Sequence, residues 1–355
     1  MSIQVVTLPL IELINASLEQ CILPEQVLST GPMLCQFDNE HFIVDKALAT
    51  IDLPDKQCTT VTESQDKPSA VELVVFSQLK IEQLINLLND CHLTCRHLTA
   101  INHRNNLISY RFSVDTTDLT RSRQQLVTFT LNHQLEAALI ENAPKLELPG
   151  ILVMDMDSTT IEIECIDEIA TLAGVGEEVA AVTELAMQGE LDFSQSLHQR
   201  VATLANAPES ILAEVAQDIP LMKGLTTLIK ELKAHQWRIA IASGGFTYFA
   251  DHLKQALDLD NAFANTLEII DGKLTGKVLG EVVDASVKAQ CLAKLSSEYN
   301  IPAQQSVAMG DGANDLKMMA AAQLGVAFQA KPIVQKQADS CINFSGLDCL
   351  IHWLA

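Results

Sequence analysis

The sequence predicts an α/β fold built on a parallel sheet with helices on both faces, and two observations support this prediction. Four apolar residues, Ile151 to Met154, run directly into Asp155 and Asp157, as expected for a strand that is buried on both faces. After residue 225, short apolar runs alternate with segments of helical spacing, which is the pattern of a doubly wound sheet. Because such sheets bind ligands at the carboxyl ends of their strands, we expect the functional site beside the two aspartates.

The composition indicates a multidomain protein and argues against several classes of partner. The chain has 355 residues, 48% of them hydrophobic, so two or three domains with sizeable cores are expected. Its 45 acidic and 23 basic residues give a net charge of −22, which argues against nucleic acid and anionic membranes as partners. Nine cysteines in a long chain of this composition indicate reduced thiols and a cytoplasmic location.

The first 145 residues are predicted to fold separately from the parallel sheet. Residues 1–65 are poorly defined beyond a hairpin at 33–44, and a polar stretch at 64–69 indicates a linker or long loop. Residues 66–145 show the order strand, helix, strand, strand, helix, which predicts a small α+β, ferredoxin-like sandwich. This order resembles an ACT-like module, a class that often binds amino acids at subunit interfaces. The alternative is a packing or dimerisation domain without a ligand, in which an uncovered sheet edge lets two copies pair as a homodimer.

Residues 146–355 form the predicted parallel-sheet domain, and the mostly helical residues 162–223 interrupt it. We interpret this insertion as a helical cap over the strand ends. Polar groups recur where later strands end: Ser243 and Asp311 each follow an apolar run, and Lys288 opens a helix. Each residue alone is adequately explained as a turn, a cap or a solvated side chain. Their common position after strands is much less easily explained by chance.

Four motifs occur in order along this domain, namely Asp155-Met156-Asp157-Ser158-Thr159, Ser243-Gly244-Gly245, Lys288 and Gly310-Asp311-Gly312-Ala313-Asn314-Asp315. Further segments between them are Glu164-Cys165-Ile166-Asp167-Glu168-Ile169-Ala170, Met187, Asp192-Phe193, Arg200-Val201, Phe263-Ala264-Asn265 and Asp271-Gly272-Lys273-Leu274-Thr275-Gly276. With these motifs, residues 150–345 resemble the haloacid dehalogenase superfamily, whose sheet is Rossmann-like, and most closely its phosphoserine phosphatase branch. The resemblance covers more than half of the chain and leaves the N-terminal region unexplained.

The resemblance implies a catalytic role for three residues. Asp155 would be the nucleophile that forms an aspartyl-phosphate, and Asp157 would be the general acid and base. Lys288 would pair with the phosphate and with Asp155. A Mg²⁺ ion would be held by the carboxylates of Asp155 and Asp311 and by the backbone carbonyl of Asp157.

The resemblance also implies how the substrate is bound. Ser243, Gly244 and Lys288 would contact the phosphate, and Asn314 and Asp315 would support the ligands or hold water. Glu164 would bind the ammonium group of phosphoserine and Arg200 its carboxylate, between walls formed by Met187 and Phe193.

The implied activity is Mg²⁺-dependent hydrolysis of O-phosphoserine, the last step of serine biosynthesis. Two alternatives stay open from the sequence: a phosphotransferase that passes the phosphoryl group to another hydroxyl, and a catalytically silent amino-acid sensor. Asp157 favours the phosphatase or the phosphotransferase, because relatives that move phosphate between small esters carry aspartate at that position.

Overall fold

A computed structural model describes residues 2–22, 32–38, 40–49, 57–62, 69–187 and 190–355 of the chain. These residues form two compact units. The first unit comprises residues 1–143, 339–344 and 350–355, and the second comprises residues 144–338 and 345–349. Across the described residues, no helix has the length and apolar character needed to cross a membrane. The predicted linker or long loop spans residues 64–69, of which 64–68 lie outside the described residues.

The first unit is an eight-stranded sheet with its helices. The strands are β1 (Ser2–Pro9), β2 (Met33–Phe37), β3 (His41–Asp45), β4 (Gln57–Thr62), β5 (Val71–Phe76), β6 (Thr94–Arg104), β7 (Leu107–Asp115) and β8 (Ala137–Glu141). The helices are α1 (Leu10–Leu13), α2 (Leu18–Cys21), α3 (Ile81–Asp90) and α4 (Leu119–His133). The strand order is β4-β1-β3-β2-β6-β7-β5-β8, so the predicted segment 1–65 and the predicted domain 66–145 share one sheet.

This sheet consists of two halves with the same topology. In β5 to β8 the fourth strand lies beside the first, followed by the third and the second, as in a ferredoxin-like sandwich, and β1 to β4 have the same order. The halves join where β2 pairs antiparallel with β6, with Met33 opposite Leu98. The edge of β6 is therefore covered within the chain, so it is not a free edge for a second copy.

One strand of this unit lies where the sequence predicted a helix. The apolar spacing at residues 119–141 predicts a single helix, but α4 ends at His133, and Gln134 after it adopts a left-handed conformation with φ of 52°. Residues 137–141 then form β8, which pairs with β5. The four apolar residues at 137–140 are all buried. A short apolar run of this kind fits a buried strand and a buried helix segment equally well, so the sequence does not distinguish them.

The second unit contains a six-strand portion of a mixed sheet. Its strands are β9 (Ile151–Met154), β10 (Arg238–Phe246), β11 (Asn261–Ile270), β12 (Lys273–Leu279), β13 (Ser306–Gly310) and β14 (Leu324–Phe328), in the order β12-β11-β10-β9-β13-β14. Its helices are α5 (Cys165–Ala173), α6 (Gly176–Met187), α7 (Phe193–Thr203), α8 (Ser210–Gln217), α9 (Leu225–Ala234), α10 (Thr247–Ala256), α11 (Ala285–Glu298), α12 (Leu316–Ala321) and α13 (Pro332–Gln335).

The predicted strand before Asp155 lies at the centre of this sheet. Strand β9 pairs in parallel with β10 and with β13, and all four of its residues are buried, as the sequence predicted. The ends of β9, β10 and β13 carry the three strand-end motifs to one edge of the sheet. Helices α5 to α8 follow β9 and occupy the region predicted as a helical insertion.

Hydrogen bonds hold the segment that leads into β9. The buried amide of Gln305 accepts from the backbone N–H of Lys145 at 2.7 Å and donates to the Lys145 carbonyl at 3.0 Å. The indole N–H of Trp237 donates to the Leu146 carbonyl at 3.0 Å. The Trp237 ring also leaves no room at Gly150, where a Cβ atom would lie 2.6 Å from it. The position of β9, and hence of Asp155, is fixed at its start.

The C-terminal segments of the chain, which include β15 (Ser340–Ile342) and α14 (Leu350–Trp353), complete the first unit. The guanidinium of Arg111, 1% exposed, forms an ion pair with Glu72 at 2.7 Å. It also donates to the backbone carbonyls of His352, Trp353 and Leu354. These are terminal carbonyls that a helix cannot satisfy internally. The predicted limits of 146–355 for the second domain thus differ from the observed division.

His352 is buried in this C-terminal helix. Its ring nitrogens bond the Ser109 hydroxyl at 2.8 Å and the Arg104 carbonyl at 3.1 Å. Burial, together with the positive charges of Arg104 and Arg111, lowers the pKa of His352 to about 4. The imidazole is therefore neutral in the folded protein at neutral pH.

We predict that His352 makes the folded protein sensitive to mild acid. Its pKa is lower in the folded chain than in the unfolded chain, so its contribution is complete above pH 6.5 and is lost as the pH falls towards 4. The loss is about 3 kcal/mol of unfolding free energy, at about 1.36 kcal/mol per pKa unit. Urea unfolding at several pH values should show a shallower decline for His352→Gln than for the unaltered protein. Parallel declines would contradict the prediction.

Candidate active site

Asp155 directly follows β9, and hydrogen bonds to its backbone and its carboxylate fix its position. Its N–H donates to the Met309 carbonyl at 2.9 Å, and its carboxylate oxygen Oδ1 accepts from the Met156 N–H at 2.7 Å. The Thr160 hydroxyl donates to the Asp155 carbonyl at 2.5 Å. Since Asp155 is only 6% exposed, its carboxylate is both buried and oriented.

Lys288, at the start of α11, supplies a buried positive charge. Its Nζ lies 2.8 Å from Asp155 Oδ2 and 2.7 Å from Asp315 Oδ1, and the side chain is fully buried. Burial alone would lower the pKa of Lys288, but the two carboxylates outweigh it and raise the pKa, so the ammonium stays protonated. For Asp315, burial and the charge of Asp155 raise the pKa despite the contact with Lys288. One ammonium thus faces two carboxylates.

A group of three carboxylates has a geometry suited to a cation. Asp155, Asp311 and Asp315 each offer an oxygen atom, and these atoms lie within 4.8 Å of one another. Burial and the charge of Asp155 raise the pKa of Asp311, as expected for carboxylates brought together without a counter-ion. Hard divalent cations take such oxygen ligands. Two of the predicted metal ligands, Asp155 and Asp311, belong to this group, whereas the carboxylate of Asp157 does not.

Asp157 has the protonation behaviour of a general acid and base. Burial and the neighbouring Glu164 raise its pKa to about 7. Its Oδ1 accepts from the Cys165 N–H at 2.9 Å, and a Cβ atom on Gly245 would lie 2.6 Å from Oδ2. A carboxyl group held in this way can donate a proton or accept one near neutral pH.

The Ser-Gly-Gly motif lies near the end of β10, where the pairing of this strand with β11 is irregular. The buried Ser243 hydroxyl oxygen accepts from the Gly245 N–H at 2.8 Å. A Cβ atom on Gly244 would lie 2.4 Å from the ring of Phe193, so only glycine fits there. Asn265 holds this segment, since its side-chain amide donates to the Gly244 carbonyl at 2.8 Å and accepts from the Val283 N–H. The sequence motif around Asn265 was noted without this role.

A cavity of about 630 Å³ collects most of the predicted residues. Its lining includes Asp155, Asp157, Glu164, Phe193, Arg200, Ser243, Gly244, Asp311 and Asn314. Lys288 and Asp315 lie behind Asp155 rather than in this lining. The side chain of Met187 lies outside the described residues. The roles assigned to all of these residues from the sequence stay predictions.

The cavity also contains residues that the sequence interpretation missed. Asp167, Ser196 and Lys331 belong to its lining. The backbone N–H of Lys331 donates to the Asp311 carbonyl at 3.3 Å, and its positive charge opposes the raised pKa of Asp311. The sequence does offer a signal for Lys331, because it follows the end of β14, and β14 ends at the same edge of the sheet as β13.

Arg200 and Glu164 face the cavity from the helical insertion. The Nε atom of Arg200 is buried and has no hydrogen-bond partner among the described residues. Burial lowers the pKa of Arg200, while the charges of Asp167 and Glu164 oppose this. An unpaired buried N–H costs free energy, so the Nε–H of Arg200 is a donor available to a ligand in the cavity.

We predict that Lys288 stabilises the fold as well as the site. Lys288→Met should lower the unfolding free energy by about 3–5 kcal/mol, because it leaves two buried carboxylates unpaired. Adding Asp315→Asn to this variant should recover part of the loss, since one of the two repelling charges is then gone. Urea unfolding with a metal chelator present is the measurement. Lys317→Met, at an exposed lysine, is the control, and a double variant no more stable than Lys288→Met would contradict the account.

Comparisons with known proteins identify the family of the chain. The family model for haloacid dehalogenase-like hydrolases matches residues 150–323. The phosphoserine phosphatase of Vibrio cholerae is 59% identical over 214 residues, which are 60% of this chain and 65% of that protein. The phosphoserine phosphatase of Haemophilus influenzae is 58% identical over 229 residues, 64% of this chain and 73% of that protein.

A solved structure described as a phospho-aspartyl intermediate analogue of phosphoserine phosphatase is 41% identical to the chain, with a TM-score of 0.56. The similarity covers 59% of this chain and all of that one. The identity, the coverage and the matching motifs together show that the chain belongs to the haloacid dehalogenase-like hydrolases, in the phosphoserine phosphatase family.

Proposed function

We propose that the protein hydrolyses O-phosphoserine to serine and phosphate through a phosphoryl group carried on Asp155. One observation carries the proposal: the cavity that contains Asp155 also contains Arg200, whose buried Nε has no hydrogen-bond partner among the residues that the structure describes. A phosphatase without selectivity needs no such group. The same cavity holds Glu164, so it offers one anionic and one cationic contact beside the phosphate site.

In the first half-reaction Asp155 attacks the phosphorus atom while the serine oxygen departs. The hydrogen bond from Met156 and the contact with Lys288 hold the two carboxylate oxygens in place. Asp157, with its pKa of about 7, donates the proton that the departing oxygen needs. Ser243 and the backbone of Gly244 contact the phosphate, where the absence of a side chain permits close approach.

In the second half-reaction water releases the phosphate and restores Asp155. The acyl phosphate is reactive enough for hydrolysis, and Asp157 now accepts the proton of the attacking water. Mg²⁺ bound to Asp155, Asp311 and the Asp157 carbonyl would supply positive charge to the phosphate. The three neighbouring carboxylates at this position support the assignment of a cation site.

Substrate selectivity comes from Arg200 and Glu164, which line the same cavity as Phe193. Arg200 pairs with the carboxylate of phosphoserine, and Glu164 pairs with its ammonium group. The substrate is therefore a small molecule, bound mainly through its charges.

The proposal extends to the cellular compartment of the protein and to the role of its first unit. None of the nine cysteines is in a disulfide in the described structure, which supports a reducing, cytoplasmic compartment. Pairing of two copies through the first unit stays a prediction, and the covered edge of β6 removes one surface from it. An ACT-like binding role for this unit also stays a prediction.

Phosphate release from O-phosphoserine tests the proposed function. With Mg²⁺ we expect serine and free phosphate in equal amounts, and a chelator should stop both. In the presence of a competing acceptor alcohol, a phosphotransferase would release serine with less free phosphate and would form the new ester. Absence of serine release under all conditions would favour the silent sensor and overturn the proposal.

We predict that Arg200→Ala damages selectivity rather than chemistry. The kcat/KM for phosphoserine should fall by the equivalent of about 2–5 kcal/mol, because a buried charged partner is removed. Hydrolysis of an aryl phosphate, which lacks the carboxylate, should change far less. Gln199→Ala, at the exposed neighbour on α7, is the matched control and should leave both substrates unaffected. Equal losses for both substrates would show that Arg200 supports the fold or the phosphate instead.

A further inference from the structure

Ser158 has a backbone conformation that its residue type disfavours. Its φ is 55°, in the left-handed region, where a residue with a Cβ atom costs about 1–2 kcal/mol. Most other described residues with positive φ, apart from glycine, are Asn, Asp or Gln, and Ser158 is the one serine among them. Strain of this kind persists where the surrounding structure imposes it, and it often marks a functional position.

The turn that contains Ser158 connects the end of β9 to α5. The backbone N–H of Ser158 donates to the Ile163 carbonyl at 3.3 Å, which closes the turn. The carbonyl of Met156 accepts from Thr159, Thr160 and Ile161. In this conformation the Ser158 hydroxyl donates to Glu164 Oε1 at 2.7 Å.

Glu164 occupies the N-cap position of α5 but does not cap the helix. Its side chain makes no hydrogen bond to the first turn, although this is the usual role of a polar N-cap residue. Its carboxylate instead contacts Ser158 and lines the cavity. Burial and the charges of Asp311 and Asp155 raise the pKa of Glu164, and the hydrogen bond from Ser158 opposes this.

We propose that Ser158 is a positioning residue for the substrate amino group, because its hydroxyl holds one oxygen of Glu164 and leaves the other for the ammonium. The inference rests on the proposed function, in which Glu164 binds that ammonium. A turn residue without this role would affect the fold, or all substrates equally. A positioning role affects only substrates that carry the amino group.

Two substitutions separate the hydroxyl from the backbone strain. Ser158→Ala removes the hydrogen bond and keeps the strain, whereas Ser158→Gly removes both, so the glycine variant should be at least as stable to heat as the alanine variant. Both should raise the KM for phosphoserine roughly tenfold or more, as expected for a lost hydrogen bond to a charged group. The kcat for phosphoserine and the hydrolysis of an aryl phosphate should change far less. Ser194→Ala, on α7 and outside the cavity lining, is the control.

The outcomes are distinct. A selective rise in KM in both variants supports the proposal, including when the glycine variant melts at a higher temperature. An unchanged KM, or an equal loss with the aryl phosphate, overturns the role of Ser158 while the proposed function stands. Absence of phosphoserine turnover in the unaltered protein overturns the proposed function and this role with it.

Discussion

The site depends on the ion pairs of Lys288 with Asp155 and Asp315, because they offset the repulsion between buried carboxylates. Strands β9 and β13 end side by side, so their terminal aspartates meet at one edge of the sheet. Carboxylates this close repel, and burial adds several kcal/mol for each unpaired charge. The start of α11 delivers one ammonium between two of them, at 2.8 and 2.7 Å. This pairing gives the buried carboxylate of Asp155 a compensating positive charge, and it leaves the charge on the remaining acids for a metal and a substrate to satisfy.

The same reasoning resolves the conflict between a net charge of −22 and an anionic substrate. Among the described residues, three positive side chains lie in or next to the cavity. Arg200 and Lys331 line it, and Lys288 contacts Asp155 from behind. Lys288 forms ion pairs with Asp155 and Asp315, whereas the buried Nε of Arg200 has no hydrogen-bond partner in the described part of the chain. The overall charge of the chain therefore says little about its site, because local burial and pairing decide which anions can bind.

Much of the parallel-sheet unit could be predicted, because the polar motif residues directly follow apolar runs that are typical of buried strands. The apolar run before Asp155 indicates a buried strand. In a parallel sheet, polar residues at the ends of the later strands then lie at the same edge as Asp155. Lys331 escaped prediction because a lysine after a strand looks the same in sequence whether it faces a cavity or solvent. The division of the chain could not be predicted either, since the buried C-terminal residues read as part of the adjacent domain. Their partner, Arg111, lies more than 200 residues earlier, and only the fold brings them together. Likewise, β8 read as helix because four consecutive buried residues fit both structures.

The central claim is that Asp155 carries the phosphoryl group, and trapping this group tests the claim most directly. The protein would be mixed with O-phosphoserine and Mg²⁺, quenched during turnover, and treated with a labelled reductant that converts an acyl phosphate to an alcohol. Peptide mapping should then place the label on the residue derived from Asp155, in the peptide that contains Met154 and Met156. No label should appear when Asp155→Asn is treated in the same way. Label on another side chain, or none at all during active turnover, would contradict the account.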